Sequence, residues 1–295
     1  MQKYIDIIKT SYAEYWNYIK QSILMELNWE NYFYGLLLIS FVVWGLEALF
    51  PWRKHQSLFR KDFWLDTFYM FFNFFLLNLI VLTALSNTAA VFFDDILGFV
   101  GLSVSSFQIL ELNALSFPAR IFIFFIVVDF TQWWTHRLLH RVEFLWNFHK
   151  VHHSVKQMGF AAHLRYHWME PVVYNSLRYV PLAIIGGFSA QDVAIVHFFN
   201  ITIGHLNHAN INWDYGWLKY VLNNPKMHIW HHAKDLPKER RFGVNFGLTL
   251  SVWDYLFNTN YIPYSGKDIE LGFNGDEDFP KDFIRQEMYP LGKNK

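Results

Sequence analysis

Twelve of the fourteen histidines in this chain fall into five tight clusters, and any fold it adopts must find a place for them. The clusters are His136/His140, His149/His152/His153, His163/His167, His205/His208 and His228/His231/His232, with only His55 and His197 outside. Within them histidines recur at three or four residues, a spacing that stacks side chains on one face of a helix. Neutral imidazole is the commonest protein ligand for a transition metal. Helices that turn these faces toward one another build a histidine-walled metal centre. Three imidazoles on one turn cannot all reach one ion with good geometry. Two such triplets on different helices, His149/His152/His153 and His228/His231/His232, can clasp two ions between them, with His136 and His140 as a third wall. The expected site is binuclear.

Composition places that site near lipid. Hydrophobic residues make up 53% of the chain and charged residues 17%, against about 25% charged in an average soluble domain. A net charge of zero argues against a nucleic-acid partner held by phosphate neutralisation. With no cysteine, disulfides, thiolate zinc sites and iron–sulfur clusters are excluded. A membrane span needs about 20 mostly apolar residues, and the candidates are residues 32–50, 64–86, 119–134, 171–188 and 190–208, the last two a hairpin turning at Gly186-Gly187. Residues 1–20 mix Asp6 and Glu14 with Lys3, Lys9 and Lys20, so they do not read as a signal peptide. An amphipathic segment over 1–31, lying on the protein or at the membrane surface, is the better reading.

Lysine and arginine set the orientation. Arg53, Lys54, Arg60 and Lys61 put the link after the first span in the cytoplasm, and Arg137, Arg141, Lys150, Lys156 and Arg165 gather after the third. Between Trp64 and Ala119 there is no Lys, Arg or His, while Asp94, Asp95 and Glu111 are present. All five histidine clusters then fall at the cytoplasmic interface. The expectation is an all-α, multi-pass membrane protein. It has four to five transmembrane helices, and a cytoplasmic helical cap and tail over 213–295, in one domain spanning 1–295. Asn224-Pro225 reads as an N-cap and first helical residue just before His228.

Asp129 lies two turns before His136 and hence on its face. An ionisable residue inside an apolar span is a functional candidate. Its expected role is to accept a proton from the far nitrogen of a ligand histidine; the alternative is a buried pair with Arg165. His197 reads as a hydrogen-bonded core residue, His55 as solvated, and His163 and His205 as the weaker members of their pairs. Three chemistries could use the wall. Zinc closes with four ligands, or three plus water, which a dozen histidines exceed, although a di-zinc lipid hydrolase stays open. Haem needs two axial histidines and leaves the HxxHH triplets unexplained, although a haem- or metal-binding protein for electron or ion transfer stays open. Two redox irons with positions left for dioxygen use nearly all of them.

The ordered set HxxxH (His136, His140), HxxHH (His149, His152, His153) and HxxHH (His228, His231, His232), with Asp129 before it and Trp253-Asp254 after it, resembles the membrane fatty acid hydroxylase/sterol desaturase superfamily. The resemblance covers residues 47–260, and Glu47-Ala-Leu-Phe-Pro51-Trp52 is similar to the bacterial sterol desaturase and alkylglycerol monooxygenase-like branch. It implies a helical membrane stem under a cytoplasmic cap, in a bacterial inner membrane. It also implies a non-haem di-iron centre and dioxygen chemistry that hydroxylates or desaturates a fatty acyl chain, sterol or ether lipid. Carried over, the ligands are His136, His140, His149, His152, His153, His228, His231 and His232, with His208 and His167 matching two further family elements. Three elements depart from the pattern: His208-Ala209-Asn210 lacks a serine, His167-Trp168-Met169-Glu170 a proline, and Phe257-Asn258-Thr259 a glycine. Each catalytic cycle of such an oxygenase takes two electrons. The chain has no dinucleotide fingerprint, cluster motif or appended haem domain to supply them. A ferredoxin or small cytochrome is the expected donor, docking on Lys226, Lys234, Lys238, Arg240 and Arg241.

Overall fold

A computed structural model describes residues 1–25 and 31–291 of the chain, and it is mostly helical. Residues 26–30 of the expected N-terminal segment and 292–295 of the expected tail lie outside the described residues.

Helix α1 (Gln2–Lys20) is the expected amphipathic segment. It runs antiparallel along α3 (Phe63–Gly98). Lys3 pairs with Asp95 at 2.6 Å, the Tyr4 hydroxyl donates to Asp95 at 2.8 Å, and the Tyr12 hydroxyl donates to the Ile80 carbonyl at 2.6 Å. Its outer face leaves Asp6, Lys9 and Glu14 exposed. Helix α2 (Tyr32–Leu49) starts where the Asn31 side chain accepts from Phe33 N and ends ahead of Pro51, whose ring cannot continue a helix. α3 continues twelve residues beyond the expected span end at 86 and contains two π-helical stretches, Phe72–Leu76 and Asn78–Leu82. Its 36 residues rise about 54 Å, more than the roughly 30 Å of a bilayer core.

Helix α4 (Phe117–Arg141) joins the expected third span to the first histidine pair in one rod. α5 (Glu143–His153) carries the first triplet. α6 (Met169–Ile184) and α7 (Ala190–His208) form the expected hairpin. Its turn is pinned by a short parallel pairing of Leu110–Glu111 with Ile185–Gly186. Gly187 has φ +70, and a Cβ there would lie 2.6 Å from Asn113 N, so only glycine makes this bend. A capping box between Ser189 and Asp192 starts α7. Asp192 also pairs with Arg120 at 2.9 Å, neutralising the cation near the start of α4. α8 (Pro225–His231) begins on Asn224, as expected, with the Asn224 side chain accepting from Met227 N at 3.0 Å. α9 (Val252–Leu256) and α10 (Phe283–Glu287) complete the cap.

Of the expected spans, two helices, α3 and α4, are long and apolar enough to cross a membrane, while Phe33–Leu49 is apolar but shorter. α6 has 16 residues, and α7 carries Asp192, Asn200, Asn207 and three histidines. The outer surface of the helical stem is nonetheless apolar: Phe41, Trp64, Ile80, Phe92, Phe122 and Val180 are all exposed. A soluble monomer rarely carries so extended an apolar surface.

The start of α3 packs on the cap, with Phe63 against Phe160 and Ile211, while loop 99–116 lies at the far end beside the α6–α7 turn. Ser105→Cys and Lys238→Cys, placed singly in this cysteine-free chain, should therefore react with an impermeant maleimide from opposite faces of sealed vesicles. Reaction from one face only would overturn a membrane-crossing α3.

Candidate metal centre

Nine histidines converge in two adjoining groups. His136, His140, His149, His153 and His231 form one, and His152, His208, His228 and His232 the other; within each, the nitrogens offered lie within 4.8 Å of one another. Each HxxHH triplet is split. His149 and His153, one turn apart on α5, face the first group while His152 faces the second; His228 and His232 face the second while His231 faces the first.

The outward nitrogens decide what the inward ones can do. His136 Nδ1 donates to the Phe246 carbonyl at 2.8 Å and His231 Nδ1 to the Val244 carbonyl at 2.8 Å. His152 Nδ1 donates to the Arg165 carbonyl at 3.1 Å, and His208 Nδ1 to the Gly204 carbonyl at 2.8 Å. A carbonyl only accepts, so these rings carry their proton outward and point a bare Nε2 lone pair inward. His149 Nδ1 meets Glu170 Oε2 at 2.9 Å in the same sense. The lone pairs then face one another: His136 to His149 at 3.1 Å, and His152 to His208 at 3.3 Å. Burial holds His149, His153, His228, His231 and His232 well below the usual imidazole range, and His152 at about 3, so protons do not relieve the repulsion. A metal cation does. Two nitrogens about 2.1 Å from one ion lie about 3.0 Å apart at right angles and about 3.4 Å apart at the tetrahedral angle. The five close Nε2 pairs span 3.0 to 3.3 Å. The donor set fits an ion in each group.

Backbone geometry builds the outer shell. Asn245, at φ +52, sits between the two carbonyls that hold His231 and His136. Asparagine tolerates this left-handed conformation. Its side chain locks the bend, donating to the Met227 and Tyr261 carbonyls and accepting from Tyr261 N. Asp254 anchors the same strip. It accepts from Phe246 N, Gly247 N, Trp133 Nε1 and Thr259 Oγ1 at 2.6–3.1 Å. Burial raises its pKa against the pull of these donors.

Four expectations need correction. Asp129 does not reach His136: its carboxylate accepts from Trp253 Nε1 at 2.8 Å, because the Phe246 carbonyl already occupies the histidine's outward nitrogen. Nor does it pair with Arg165, which binds Asp66 at 3.0 Å. His167 lies outside both groups, its Nδ1 accepting from Met169 N at the start of α6. His163 and His205 bond each other through Nδ1 at 3.0 Å and flank His208 rather than join its group. Gly204 makes their room, since a Cβ there would lie 2.2 Å from the His163 ring. Finally, the basic patch is partly spent, with Lys226 paired to Asp214 and Lys234 to Glu270 and Glu277. Sequence reasoning missed Glu170, three residues after His167, and Asp254, in the Trp-Asp motif. Their spacing from the ligands alone held no signal of the contact.

An apolar cavity of about 650 Å³ opens onto this centre. His136, His149, His152, His208 and His228 close one end, and Phe74, Leu82, Phe124, Val128, Leu182 and Ile201 line the stem.

Residues 121–259 match the fatty acid hydroxylase family. The chain is 29% identical over 170 residues to the ornithine lipid hydroxylase OlsE of Rhizobium tropici, covering 57% of this chain and 49% of that protein. It is 32% identical over 139 residues to the alkylglycerol monooxygenase of Homo sapiens, covering 46% of this chain and 29% of that protein. A very-long-chain aldehyde decarbonylase, GL1-5 of Oryza sativa subsp. indica, is 29% identical over 142 residues, covering 45% of this chain and 22% of that protein. The match spans about half the length of the first relative and less than a third of the others. No solved structure matches the chain.

Two substitutions separate the outer shell from the ligands. Glu170→Gln should weaken metal binding about 10–100-fold, as losses around a metal's ligands do, with little change in melting temperature. Asp254→Asn turns an amide NH₂ toward donors and should cost about 1–3 kcal/mol of stability as well as metal. Metal content and melting curves at wild-type values in both would detach these carboxylates from the centre.

Proposed function

The chain carries a fatty acid hydroxylase family region over residues 121–259, and from that premise we propose a membrane-embedded oxygenase that hydroxylates a lipid chain. The observation that carries this reading is the convergence of bare imidazole nitrogens at the closed end of an apolar cavity. On this reading the first group would hold one iron and the second another, and the pair would supply activation of dioxygen against an unactivated C–H bond.

The chain's own residues do the rest. Phe124, Val128, Leu182 and Ile201 bind an alkyl chain by exclusion of water and bring it to the histidine end. Glu170 holds the proton of His149 at Nδ1 and so keeps Nε2 free for metal. His163 and His205 support His208 from behind, and Ser40 Oγ meets His205 Nε2 at 3.2 Å. We take α2, α6 and α7 as further membrane helices beside α3 and α4, with the cap on the cytoplasmic face and the whole chain one domain. Electrons would come from a separate small acidic carrier. Lys238 and Arg241 remain for docking it, next to Arg141, which packs with Arg241 on the Phe242 ring.

Protein purified without chelator should hold close to two metal ions per chain, and His152→Ala and His231→Ala should lose metal while still inserting in membranes. Lipids from cells given ¹⁸O₂ should gain labelled hydroxyl groups only when the intact gene is present. A single tightly held ion, a haem spectrum, or ester hydrolysis without oxygen would each sink the reading. Lys238→Glu with Arg241→Glu should slow turnover driven by a protein donor and spare turnover driven by a small chemical reductant. Equal loss with both would remove the docking role.

A further inference from the structure

Helix α6 presents Glu170, Tyr174 and Arg178 at successive four-residue steps, so they share one face, and all three line the cavity. Glu170 is committed to His149 at the metal end. Arg178 lies eight residues further, about 12 Å along the helix axis. Among the described residues that line the cavity, Glu170 is the one carboxylate and Arg178 the one side chain with a permanent positive charge.

Two arginines buried where the stem meets the cap, and one near the start of α4, are matched by carboxylates. Arg60 and Arg165 share Asp66, and Arg120 has Asp192. Arg178 has no ion pair among the described residues. A guanidinium cannot shed its proton, and a charge in apolar surroundings is retained only with a partner. Arg178 is half-buried on the cavity wall, so a ligand that fills the cavity can supply that partner. The planar fork of an arginine suits a carboxylate or a phosphate, which it binds through two parallel hydrogen bonds.

We propose that Arg178 anchors the anionic head, a carboxylate or phosphate, of a single-chain or multi-chain lipid whose alkyl chain runs along α6 to the histidine end. The inference deepens the lipid-oxygenase reading by naming the substrate class, and it rests on that reading for the fate of the chain. Its consequence is that the histidine end meets carbons remote from the head group rather than the carbon next to it.

The test is equilibrium binding of radiolabelled laurate, dodecyl phosphate and dodecanol to the full chain in nanodiscs of zwitterionic lipid, with partition into protein-free discs subtracted. The wild type should bind the two anionic amphiphiles about tenfold or more tightly than dodecanol, the size expected of hydrogen bonds to a charged group. Arg178→Gln should bring all three to the dodecanol level, and Arg178→Lys should retain part of the preference. Dodecanol affinity should be the same in all three proteins, which certifies the cavity. Acetate and inorganic phosphate at the same concentrations should not compete. No preference in the wild type, or a preference that survives Arg178→Gln, overturns the proposal; so does competition by free phosphate or acetate equal to that of the amphiphiles. A protein that keeps the preference yet consumes no oxygen with metal and reductant would retain Arg178 as a head-group anchor and remove the oxygenase reading instead.

Discussion

The repulsion between imidazole lone pairs governs this structure. Nine histidines from four helices and the residue after one of them point nitrogen toward two small volumes, where no chain atom balances the electron density they bring together. That arrangement is tolerable where outward nitrogens are held by acceptors and a cation can enter. Backbone carbonyls answer the first need for four of the rings. Val244, Phe246, Arg165 and Gly204 each turn a carbonyl to a ring, and the left-handed bend at Asn245 lets two of these carbonyls serve different helices.

Stem and cap are held together by bonds that pass close to the centre. Trp133 on α4 donates to Asp254 on α9, and its neighbour Trp253 donates back to Asp129 on α4. This reciprocal pair explains a carboxylate inside an apolar helix without giving it metal chemistry. Glu47 near the end of α2 accepts from Asn210 N and Phe160 N, so α2 is tied to both the α7 exit and the segment that carries His163. Asp66 gathers Arg60 and Arg165, and the carbonyl of that same Arg165 orients His152. Buried ion pairs are weak evidence of net stability. Their use here is positional, fixing backbone whose carbonyls must face particular rings.

The cavity joins two chemistries that would otherwise repel. Its walls are aromatic and aliphatic along α3, α4, α6 and α7, and its closed end is imidazole. The π-helical turns of α3 widen the helix where Asn73, Phe74 and Asn78 face the cavity. Asn73 spends its amide on the Leu164 and Tyr166 carbonyls, which brings the His163 loop over the histidine end. On the proposed reading, an alkyl chain in this space would lose water along its length and end beside the histidine nitrogens.

Local spacing made much of this legible before any coordinates. His136 with His140 and His149 with His153 had to share helix faces and the Asn224 cap had to start a helix ahead of His228, because each depends only on bonds within a few residues, whereas His163 and His167, four apart, sit on a 3₁₀ turn and the link after it. The resemblance carried by the three histidine motifs likewise holds, over residues 121–259. Which group each histidine enters was not legible. A 3-residue and a 4-residue step differ by a fraction of a turn, and only the packing of α4, α5, α7 and α8 converts that angle into one metal volume or the other. For the same reason the sequence could not show that His167 and Asp129 lie outside the two histidine groups. Each lies on the expected stretch of helix or turn, but a closer acceptor or donor from a distant segment takes the contact. Sequence periodicity determined which faces bear nitrogen; the long-range placement of carbonyls and helix axes decided where each lone pair points.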